Sequence, residues 1–339
     1  MSKRNLNEVQ KSAVEAFGKP VLIFAGAGSG KTRVLTHKIA YLIKKKLVSA
    51  EHILAVTFTN KAAQEMKGRV NKLVPEKESV LNIGTFHSIC AGILRNEIHH
   101  LGYTADFSIF DVQDQKSLVK VVIESMDIPK NYVKPQEVRH KISYFKNKLI
   151  TPDEAKKKAH LILEKTYADI YEKYQKALIK NNAVDFDDLL ILPLTLFEKH
   201  PKILDKYREK WQYILVDEYQ DTNKPQFMFV KYLAEGHHQI CVVGDDDQSI
   251  YGWRGADIRN ILDFEKNFGN CHVFKLEKNY RSTAHIIEAA SSVVKNNKNR
   301  APKKLIAHNG AGEKLGLIET NDEMEEADAV VNALEKEIK

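Results

Sequence analysis

Apolar residues in this chain recur as short runs, and longer stretches with helical spacing separate them. The runs are rich in Val, Ile and Leu, as buried strands are, and they cover Val21–Ala25, Ile53–Phe58, Val80–Ile83, Tyr213–Val216, Gln239–Val243 and His272–Leu276. After the first run, apolar side chains repeat on one face of a predicted helix, at Leu35, Ile39, Leu42 and Ile43. Strands that alternate with helices predict an α/β protein whose parallel sheet is covered on both faces.

Residues 106–187 break this alternation. Their pattern is helical and rich in Lys, Tyr and Glu, and it predicts an all-helical insertion into the α/β domain. The alternative is that these helices belong to the main domain. Further on, residues 295–304 carry five positive charges and no acid, which indicates either a solvated loop or an edge that faces phosphate. A strand over 314–320 and a helix from about Asp322 are predicted after it.

Composition narrows the class of protein only slightly. The 339 residues suffice for two or three domains, and the formal charge of +7 is compatible with a polyanionic partner without identifying one. Cys90, Cys241 and Cys271 are scattered, so they indicate neither a zinc site nor a disulfide framework, and a reduced cytoplasmic protein is expected. The polar N-terminus lacks a signal-peptide core, and the apolar stretch from Val21 to Ala27 is too short to span a bilayer, so no membrane association is expected.

A glycine-rich loop follows the first predicted strand and opens a predicted helix. The loop comprises Ala25, Gly26, Ala27, Gly28, Ser29, Gly30, Lys31 and Thr32. Glycines let backbone N–H groups turn towards phosphate oxygens, and the helix N-terminus adds partial positive charge. Lys31 is expected to neutralise the β- and γ-phosphates of ATP, and the Thr32 hydroxyl is expected to ligate Mg²⁺. Ala25 stands where the strict pattern has glycine, and it is small enough for the same turn.

A carboxylate pair ends the predicted strand Tyr213–Val216. Asp217 is expected to hold Mg²⁺ through its water shell, and Glu218 is expected to orient or deprotonate the attacking water. Taken alone, such a pair is as readily a solvated strand end. Together with the phosphate loop, it predicts the second half of a magnesium–nucleotide site.

A series of motif segments stands in one order along the chain. They are LNEVQKSAV around Gln10, AGAGSGKT at 25–32, TFTNKAAQEMK at 57–67, TFHS at 85–88, DFDDLL at 185–190, VDEYQDTN at 216–223, VGDDDQSIYGWRGA at 243–256 and NYRST at 279–283. The series closely resembles the ordered motifs of the UvrD/Rep/PcrA-type superfamily I DNA helicases, and the resemblance covers essentially the whole chain. A single motif could arise by chance, whereas the whole series in order is specific.

The resemblance implies roles around the nucleotide. Gln10 matches the glutamine whose amide reads the adenine edge, and Arg33 and Tyr280 match residues that sandwich the base. Gln248 matches a γ-phosphate sensor, and Arg281 matches an arginine finger that stabilises the charge of phosphoryl transfer. The implied cofactors are ATP and Mg²⁺. The implied catalytic residues are Lys31, Asp217, Glu218, Gln248 and Arg281.

The resemblance also implies a single-stranded DNA site, built on aromatic faces beside polar and basic groups. The matching residues are Phe58, Thr59, Asn60, His87, Phe186, Tyr251, Trp253 and Arg254. Each aromatic residue has the alternative of simple core packing. Trp253 is the least core-like, because Gly252, Arg254 and Gly255 flank it.

In fold, the resemblance implies a RecA-like P-loop NTPase domain with a parallel sheet, an all-helical insertion, and the start of a second RecA-like domain. The predicted division assigns 1–105 with 188–278 to the first domain, 106–187 to the insertion, and 279–339 to an incomplete second domain. No later family motif follows Ser282 and Thr283. The sequence is therefore expected to be an N-terminal portion that binds ATP–Mg²⁺ and single-stranded DNA, hydrolyses ATP slowly, and does not unwind duplex efficiently.

The leading hypothesis is an ATP-dependent DNA helicase, with 3′ to 5′ translocation along single-stranded DNA implied by the resemblance. The first alternative is a non-catalytic, nucleotide-gated DNA-binding module. The second, a P-loop nucleotide kinase or metabolic ATPase, leaves the GWRG loop and the NYRST run unexplained. The expected partners are single-stranded DNA and either a C-terminal half that this sequence does not contain or other repair and replication proteins.

Overall fold

The computed structural model describes residues 6–75, 81–129 and 132–338. Its strands are β1 (Val21–Ala25), β2 (Ile53–Thr57), β3 (Asn82–Thr85), β4 (Ser108–Phe110), β5 (Ala183–Asp185), β6 (Tyr213–Val216), β7 (Ile240–Gly244), β8 (His272–Leu276), β9 (Lys278–Asn279) and β10 (Ile306–Ala307). Its helices are α1 (Glu8–Glu15), α2 (Lys31–Lys44), α3 (Asn60–Leu73), α4 (Phe86–Glu97), α5 (Val112–Glu124), α6 (Pro135–Asn147), α7 (Pro152–Lys158), α8 (Ile162–Lys180), α9 (Phe186–Lys199), α10 (Pro201–Lys210), α11 (Lys224–Ala234), α12 (Arg259–Leu262), α13 (Phe264–Phe268), α14 (Ala284–Val294) and α15 (Glu323–Ile338).

A parallel sheet forms the centre of the molecule. Its six strands run in the order β3-β2-β6-β7-β1-β8, and every adjacent pair is parallel. The strands β1, β2, β6 and β7 are buried along their whole length, as continuous Val, Ile and Leu runs require. Leu22 and Val216 belong to the hydrophobic core on one face, and Ile23 and Leu215 to the core on the other. The predicted α/β class and parallel sheet are confirmed.

The strand boundaries differ slightly from those read off the sequence. β2 ends at Thr57, and β7 begins one residue later than predicted. The third strand is Asn82–Thr85 instead of Val80–Ile83, and Val80 lies outside the described residues. The bounds of β3 follow from its pairing with β2, in which Asn82 to Thr85 lie beside Leu54 to Thr57. The strand contains Asn, Gly and Thr, so a search for apolar runs does not recognise its full extent.

The segment between β4 and β5 is helical and has a hydrophobic core of its own, formed by residues of α5, α6, α7 and α8. β4 and β5 pair in parallel where the chain enters and leaves this segment, and such short strands leave no readable pattern. Lys146 of α6 ties the segment to α9: its Nζ lies 2.7 Å from both Asp185 and Asp188. Tyr174 of α8 donates a hydrogen bond to Asp185 at 3.0 Å. A buried cluster, in which one ammonium lies between two carboxylates, therefore docks the segment.

Beyond β8 the chain is less regular. β9 and β10 pair in parallel, and α14 lies between them in sequence. The strand predicted over 314–320 is wrong: within the described residues this stretch pairs with no strand, and Leu317 is 92% exposed. A lone apolar run without a neighbouring strand or core does not form a stable sheet. No helix in the described ranges is long and apolar enough to cross a bilayer.

Candidate functional site

A cleft lies at the carboxyl edge of the sheet, where parallel strands bring their following loops together. The loops after β1, β6 and β7, helix α3 and the turn after β9 enclose about 450 Å³. The cleft is lined by Ala27, Gly28, Gly30, Lys31, Thr32, Arg33, Glu65, Arg69, Glu218, Gln248, Tyr280 and Arg281. The other predicted nucleotide-site residues are buried and do not line it: Gln10, Ala25, Gly26, Ser29 and Asp217.

Two glycines give the phosphate loop its shape. Gly28 and Gly30 have φ angles of 68° and 93°, in the left-handed region that other residues rarely adopt. Gly28 also has no room for a side chain, because a Cβ there would lie 2.7 Å from atoms of Arg281 and Asn279. Helix α2 begins at Lys31 without a side-chain cap, so the N–H groups of its first turn are available to an anion.

Lys31 is surrounded by polar side chains from other loops. Its Nζ lies 3.3 Å from Glu218 Oε2 and 3.5 Å from Gln248 Oε1. Glu218 has a left-handed backbone with φ of 49°, a strained conformation that clusters at functional sites. Asp217, the residue before it, is 5% exposed, and its N–H donates to the Val56 carbonyl at 3.0 Å. The end of β6 therefore holds one buried carboxylate and one that faces the lysine.

Burial raises the pKa of the Asp217 carboxyl to about 7, and repulsion from Glu218 adds to the effect. Lys31 and a hydrogen bond from Thr32 act in the opposite direction and do not cancel it. A buried carboxylate beside a threonine hydroxyl offers the oxygen donors that Mg²⁺ prefers. The two predicted metal ligands, Thr32 and Asp217, thus lie together and fit the ion.

We expect the apparent affinity for Mg²⁺, measured with nucleotide present, to fall about tenfold from pH 8 to pH 6. Only the carboxylate form of Asp217 binds a cation, and a group with a pKa near 7 is mostly ionised at the higher pH and mostly protonated at the lower. Titration of Mg²⁺ against a fluorescent nucleotide complex measures the shift. Asp217→Asn is the control, because it keeps the pH dependence of the nucleotide phosphates. An equal shift in both proteins would exclude Asp217 as a carboxylate ligand.

Gln10 is buried against the phosphate loop. Its Nε2 donates to the Ser29 carbonyl at 2.9 Å, and its Oε1 accepts from the Asn7 N–H at 3.0 Å. An amide has two N–H bonds and two lone pairs, so one donor and one acceptor are left for an adenine edge. Asn7 also donates from Nδ2 to the Tyr280 hydroxyl at 2.8 Å. A predicted adenine-reading residue and a predicted base-stacking residue therefore share one network.

The turn after β9 is docked on the phosphate loop. Asn279 Nδ2 donates to the Ala27 carbonyl at 2.6 Å, and the Tyr280 N–H donates to the Gly28 carbonyl at 2.9 Å. Asn279 Oδ1 accepts from the Arg281 N–H at 2.8 Å, which closes the turn. Tyr280 and Arg281 consequently line the cleft, as Arg33 does at the start of α2.

Sequence reasoning missed four residues of this site. Gln220 donates from Nε2 to Glu218 Oε2 at 3.0 Å, and its Oε1 accepts from the Asp245 N–H at 3.0 Å. Gln220 therefore joins the loops after β6 and β7, as Asn279 joins β9 to the phosphate loop. Gln220, Asn279 and Glu65 stand inside the motif segments, which is the signal that could have identified them. Arg69 lies outside these segments and forms an ion pair with Glu65 on α3, at a spacing that is common on helix surfaces.

The loop after β7 presents aromatic and basic side chains to solvent. Trp253 is 76% exposed and Tyr251 is 39% exposed. The Arg254 guanidinium lies 4.6 Å from the ring centre of Trp253 and 5.6 Å from that of Tyr251. Exposed rings beside a cation offer faces on which bases of a single strand can stack. Core packing, the alternative, is excluded for Trp253 by its exposure.

A second aromatic pair lies at the start of α4 and α9. Phe186 is half-exposed and meets His87 edge to face, with 5.8 Å between ring centres. Asp185 caps α9, because its side chain accepts from the Asp188 N–H at 2.8 Å, and this fixes Phe186 as the first helical residue. Burial lowers the pKa of His87, so its ring is neutral near physiological pH.

The residues after β2 have mixed roles. Phe58 is partly buried and packs edge to face on Phe86 at 5.9 Å, so core packing accounts for part of its environment. Thr59 caps α3, since its Oγ1 accepts from the Ala62 N–H at 3.1 Å. Asn60, the first residue of α3, is exposed. Phe58 and Thr59 thus have structural roles, whereas the side chain of Asn60 is exposed to solvent.

Residues 6–269 match the family model described as the UvrD/REP helicase N-terminal domain, and residues 274–339 match that of the UvrD-like helicase C-terminal domain. The ATP-dependent DNA helicase PcrA of Staphylococcus epidermidis is 49% identical over 333 residues, which cover 98% of this chain and 46% of that protein. PcrA of Staphylococcus aureus is 49% identical over 332 residues, with the same two shares. The chain thus spans about half the length of these relatives.

Proposed function

Because the chain belongs to the UvrD/REP helicase family, we propose that it supplies the nucleotide site of an ATP-dependent DNA helicase that moves along single-stranded DNA. Both relatives named above are described as ATP-dependent DNA helicases. Translocation from 3′ to 5′ is part of the proposal, on the basis of the motif series. ATP and Mg²⁺ are the proposed ligands of the cleft.

One observation carries the proposal: charged groups of opposite sign, contributed by separate loops, converge on the same cleft. Lys31 supplies positive charge for the phosphates, and Glu218, 3.3 Å from it, is the proton acceptor for the attacking water. Arg281 adds a second positive charge from the turn after β9. When bound by Thr32 and Asp217, Mg²⁺ neutralises charge on the phosphate oxygens.

Gln248 links this cleft to the exposed aromatic loop, and we assign it the sensing of the terminal phosphate. It contacts Lys31 and precedes Trp253 on the same short loop. A change at the phosphate position therefore reaches the aromatic side chains through a few residues of backbone. This connection supports a DNA site coupled to ATP turnover, made of the residues after β7 together with Phe186 and His87.

The proposal includes the domain division expected from the sequence, 1–105 with 188–278, 106–187 and 279–339. The separate hydrophobic core of the helical segment supports the middle unit. A cytoplasmic location is proposed with it, supported by the unpaired thiols of Cys90, Cys241 and Cys271.

Steady-state ATP hydrolysis with and without single-stranded DNA tests the proposal. Turnover that DNA stimulates supports a DNA-dependent ATPase. ATP binding without turnover at any DNA concentration would favour the non-catalytic, nucleotide-gated module. Turnover that is the same with and without DNA would contradict both the DNA-dependent ATPase and the non-catalytic module.

Trp253→Ala is expected to weaken single-stranded DNA binding about tenfold, because each stacked base contributes about 1–3 kcal/mol. The affinity for ATP should stay unchanged, since Trp253 does not line the cleft. Fluorescence anisotropy of a labelled oligothymidylate measures the first quantity. Phe17→Ala is the matched control, because this ring is also exposed but precedes β1 at the opposite edge of the sheet. If both affinities of Trp253→Ala equal those of the wild type, the stacking role is wrong.

A further inference from the structure

The acidic run after β7 faces the basic run that follows α14. Lys303 Nζ lies 3.0 Å from Asp245 Oδ1 and 2.7 Å from Asp247 Oδ2, and it also contacts Asp246. Only 3% of the Lys303 side chain is exposed. Arg300 donates two hydrogen bonds to Asp247, at 2.9 and 2.7 Å. The two basic side chains thus compensate a concentrated negative charge.

Most of residues 295–304 are exposed, as expected of a solvated loop, whereas Arg300 and Lys303 face carboxylates instead of solvent or phosphate. The carboxylate oxygens of Asp245, Asp246 and Asp247 lie within 4.8 Å of one another, a spacing that would suit a metal ion. Lys303 takes the place of that cation in this protein. Three carboxylates at this distance repel one another strongly unless a positive charge compensates them.

Asp245 connects this charge cluster to the nucleotide site. Its Oδ2 accepts a hydrogen bond from Gln248 Nε2, while its Oδ1 faces Lys303. Because Nε2 is held by Asp245, the orientation of the Gln248 amide is fixed, and its Oε1 lies 3.5 Å from Lys31 Nζ. The amide NH₂ group has a second hydrogen, which is free for a further acceptor.

We propose that Lys303 is a positioning residue for Gln248: by neutralising and fixing Asp245, it holds the Gln248 amide in the orientation that reads the terminal phosphate. The inference rests on the sensing role proposed above for Gln248. It follows that the segment after α14 takes part in nucleotide sensing through a side chain that does not line the cleft. Without the ammonium, Asp245 and Asp246 would lose their cation, while Asp247 would keep Arg300, and Gln248 would lose its fixed acceptor.

The test compares affinities for ADP and for a non-hydrolysable ATP analogue, both with Mg²⁺, by competition against a fluorescent nucleotide. The ratio of the two affinities measures terminal-phosphate sensing. Lys303→Met should lower this ratio about tenfold and leave the ADP affinity within about twofold of the wild type. Lys303→Arg should restore most of the ratio. Lys304→Met is the matched control, because the neighbouring lysine is exposed and its substitution should change neither affinity.

Gln248→Ala separates failure of this inference from failure of the proposed function. If Gln248→Ala lowers the ratio and Lys303→Met does not, the positioning role is overturned. If Gln248→Ala leaves the ratio unchanged, Gln248 is not a sensor, and the inference falls with that part of the proposed function. A fall in ADP affinity equal to that of the analogue would show a merely structural role for Lys303 and overturn the inference as well.

Two further variants keep the inference testable. In the double variant of Lys303→Met and Gln248→Ala, the second substitution should add little, because both remove the same contact; additive losses would contradict the inference. If Lys303→Met does not yield folded protein, Asp245→Ala replaces it, since alanine leaves Gln248 Nε2 without this acceptor. It should lower the ratio by a similar factor, and an unchanged ratio would overturn the proposal.

Discussion

Glu218→Gln should lower the rate of ATP hydrolysis by at least about a hundredfold and leave ATP affinity within about twofold of the wild type. The carboxylate lies 3.3 Å from Lys31 and accepts from Gln220 Nε2 at 3.0 Å, so its position is fixed from two sides. An amide of the same shape fills that position but cannot take a proton from water. Single-turnover hydrolysis measures the chemical step, and a fluorescent ATP analogue measures binding.

Asp221→Asn is the control for Glu218→Gln. Asp221 is the next carboxylate along the chain, and Gln220 Nε2 also donates to it, at 3.3 Å, but it does not line the cleft. Its replacement should change the rate by no more than about fivefold if proton transfer belongs to Glu218. Loss of ATP binding in Glu218→Gln would point to a structural role of the carboxylate. The charged side chain would then be needed to keep the left-handed backbone at this position.

Lys31→Ala should reduce ATP affinity by about a hundredfold or more and bring turnover below detection. Charge-assisted contacts to phosphate are among the strongest hydrogen bonds in proteins, and this one lies in a partly buried cleft. The substitution also leaves Asp217 and Glu218 without a compensating cation, so the site would repel the phosphates. Equilibrium binding and steady-state hydrolysis together measure both effects.

The control for Lys31→Ala is Lys44→Ala, which removes the same charge from the other end of α2, where the side chain is exposed. Its ATP affinity and turnover should equal those of the wild type. Turnover that survives in Lys31→Ala would mean that the glycine-rich loop does not hold the phosphates, and the assignment of the cleft would be wrong.

The sequence located the cleft because its residues follow strands that an apolar pattern reveals. Val21–Ala25 and Tyr213–Val216 are buried throughout, so nothing but a central strand suits them. Once their shared direction is known, Lys31, Asp217 and Glu218 must meet at one edge. The apolar runs thus predicted the parallel sheet, and the motifs that follow two of its strands predicted the site residues.

The contacts between loops could not be predicted in the same way. Lys303 was read only as part of a basic run, because charge along a sequence does not reveal which acids will face it across space. The role of Gln220 could not be predicted for the same reason. Its side chain joins two loops, and the distance between them depends on the packing of β6 beside β7. The prediction of a strand over 314–320 was wrong because a strand is stable only beside another strand. The apolar pattern of a segment does not show whether such a neighbour exists.

Gly28 shows that the glycine-rich loop is not a purely local signature. Its φ of 68° restricts the residue in isolation, and atoms of Asn279 and Arg281, 2.7 Å from the place of a Cβ, restrict it again from across the cleft. The loop and the turn are 252 residues apart where Asn279 meets Ala27. A side chain at position 28 would therefore require both the loop and the turn to move, and it would disturb the contact between Asn279 and Ala27. The shape of the glycine-rich loop thus depends on the turn after β9 as well as on its own residues.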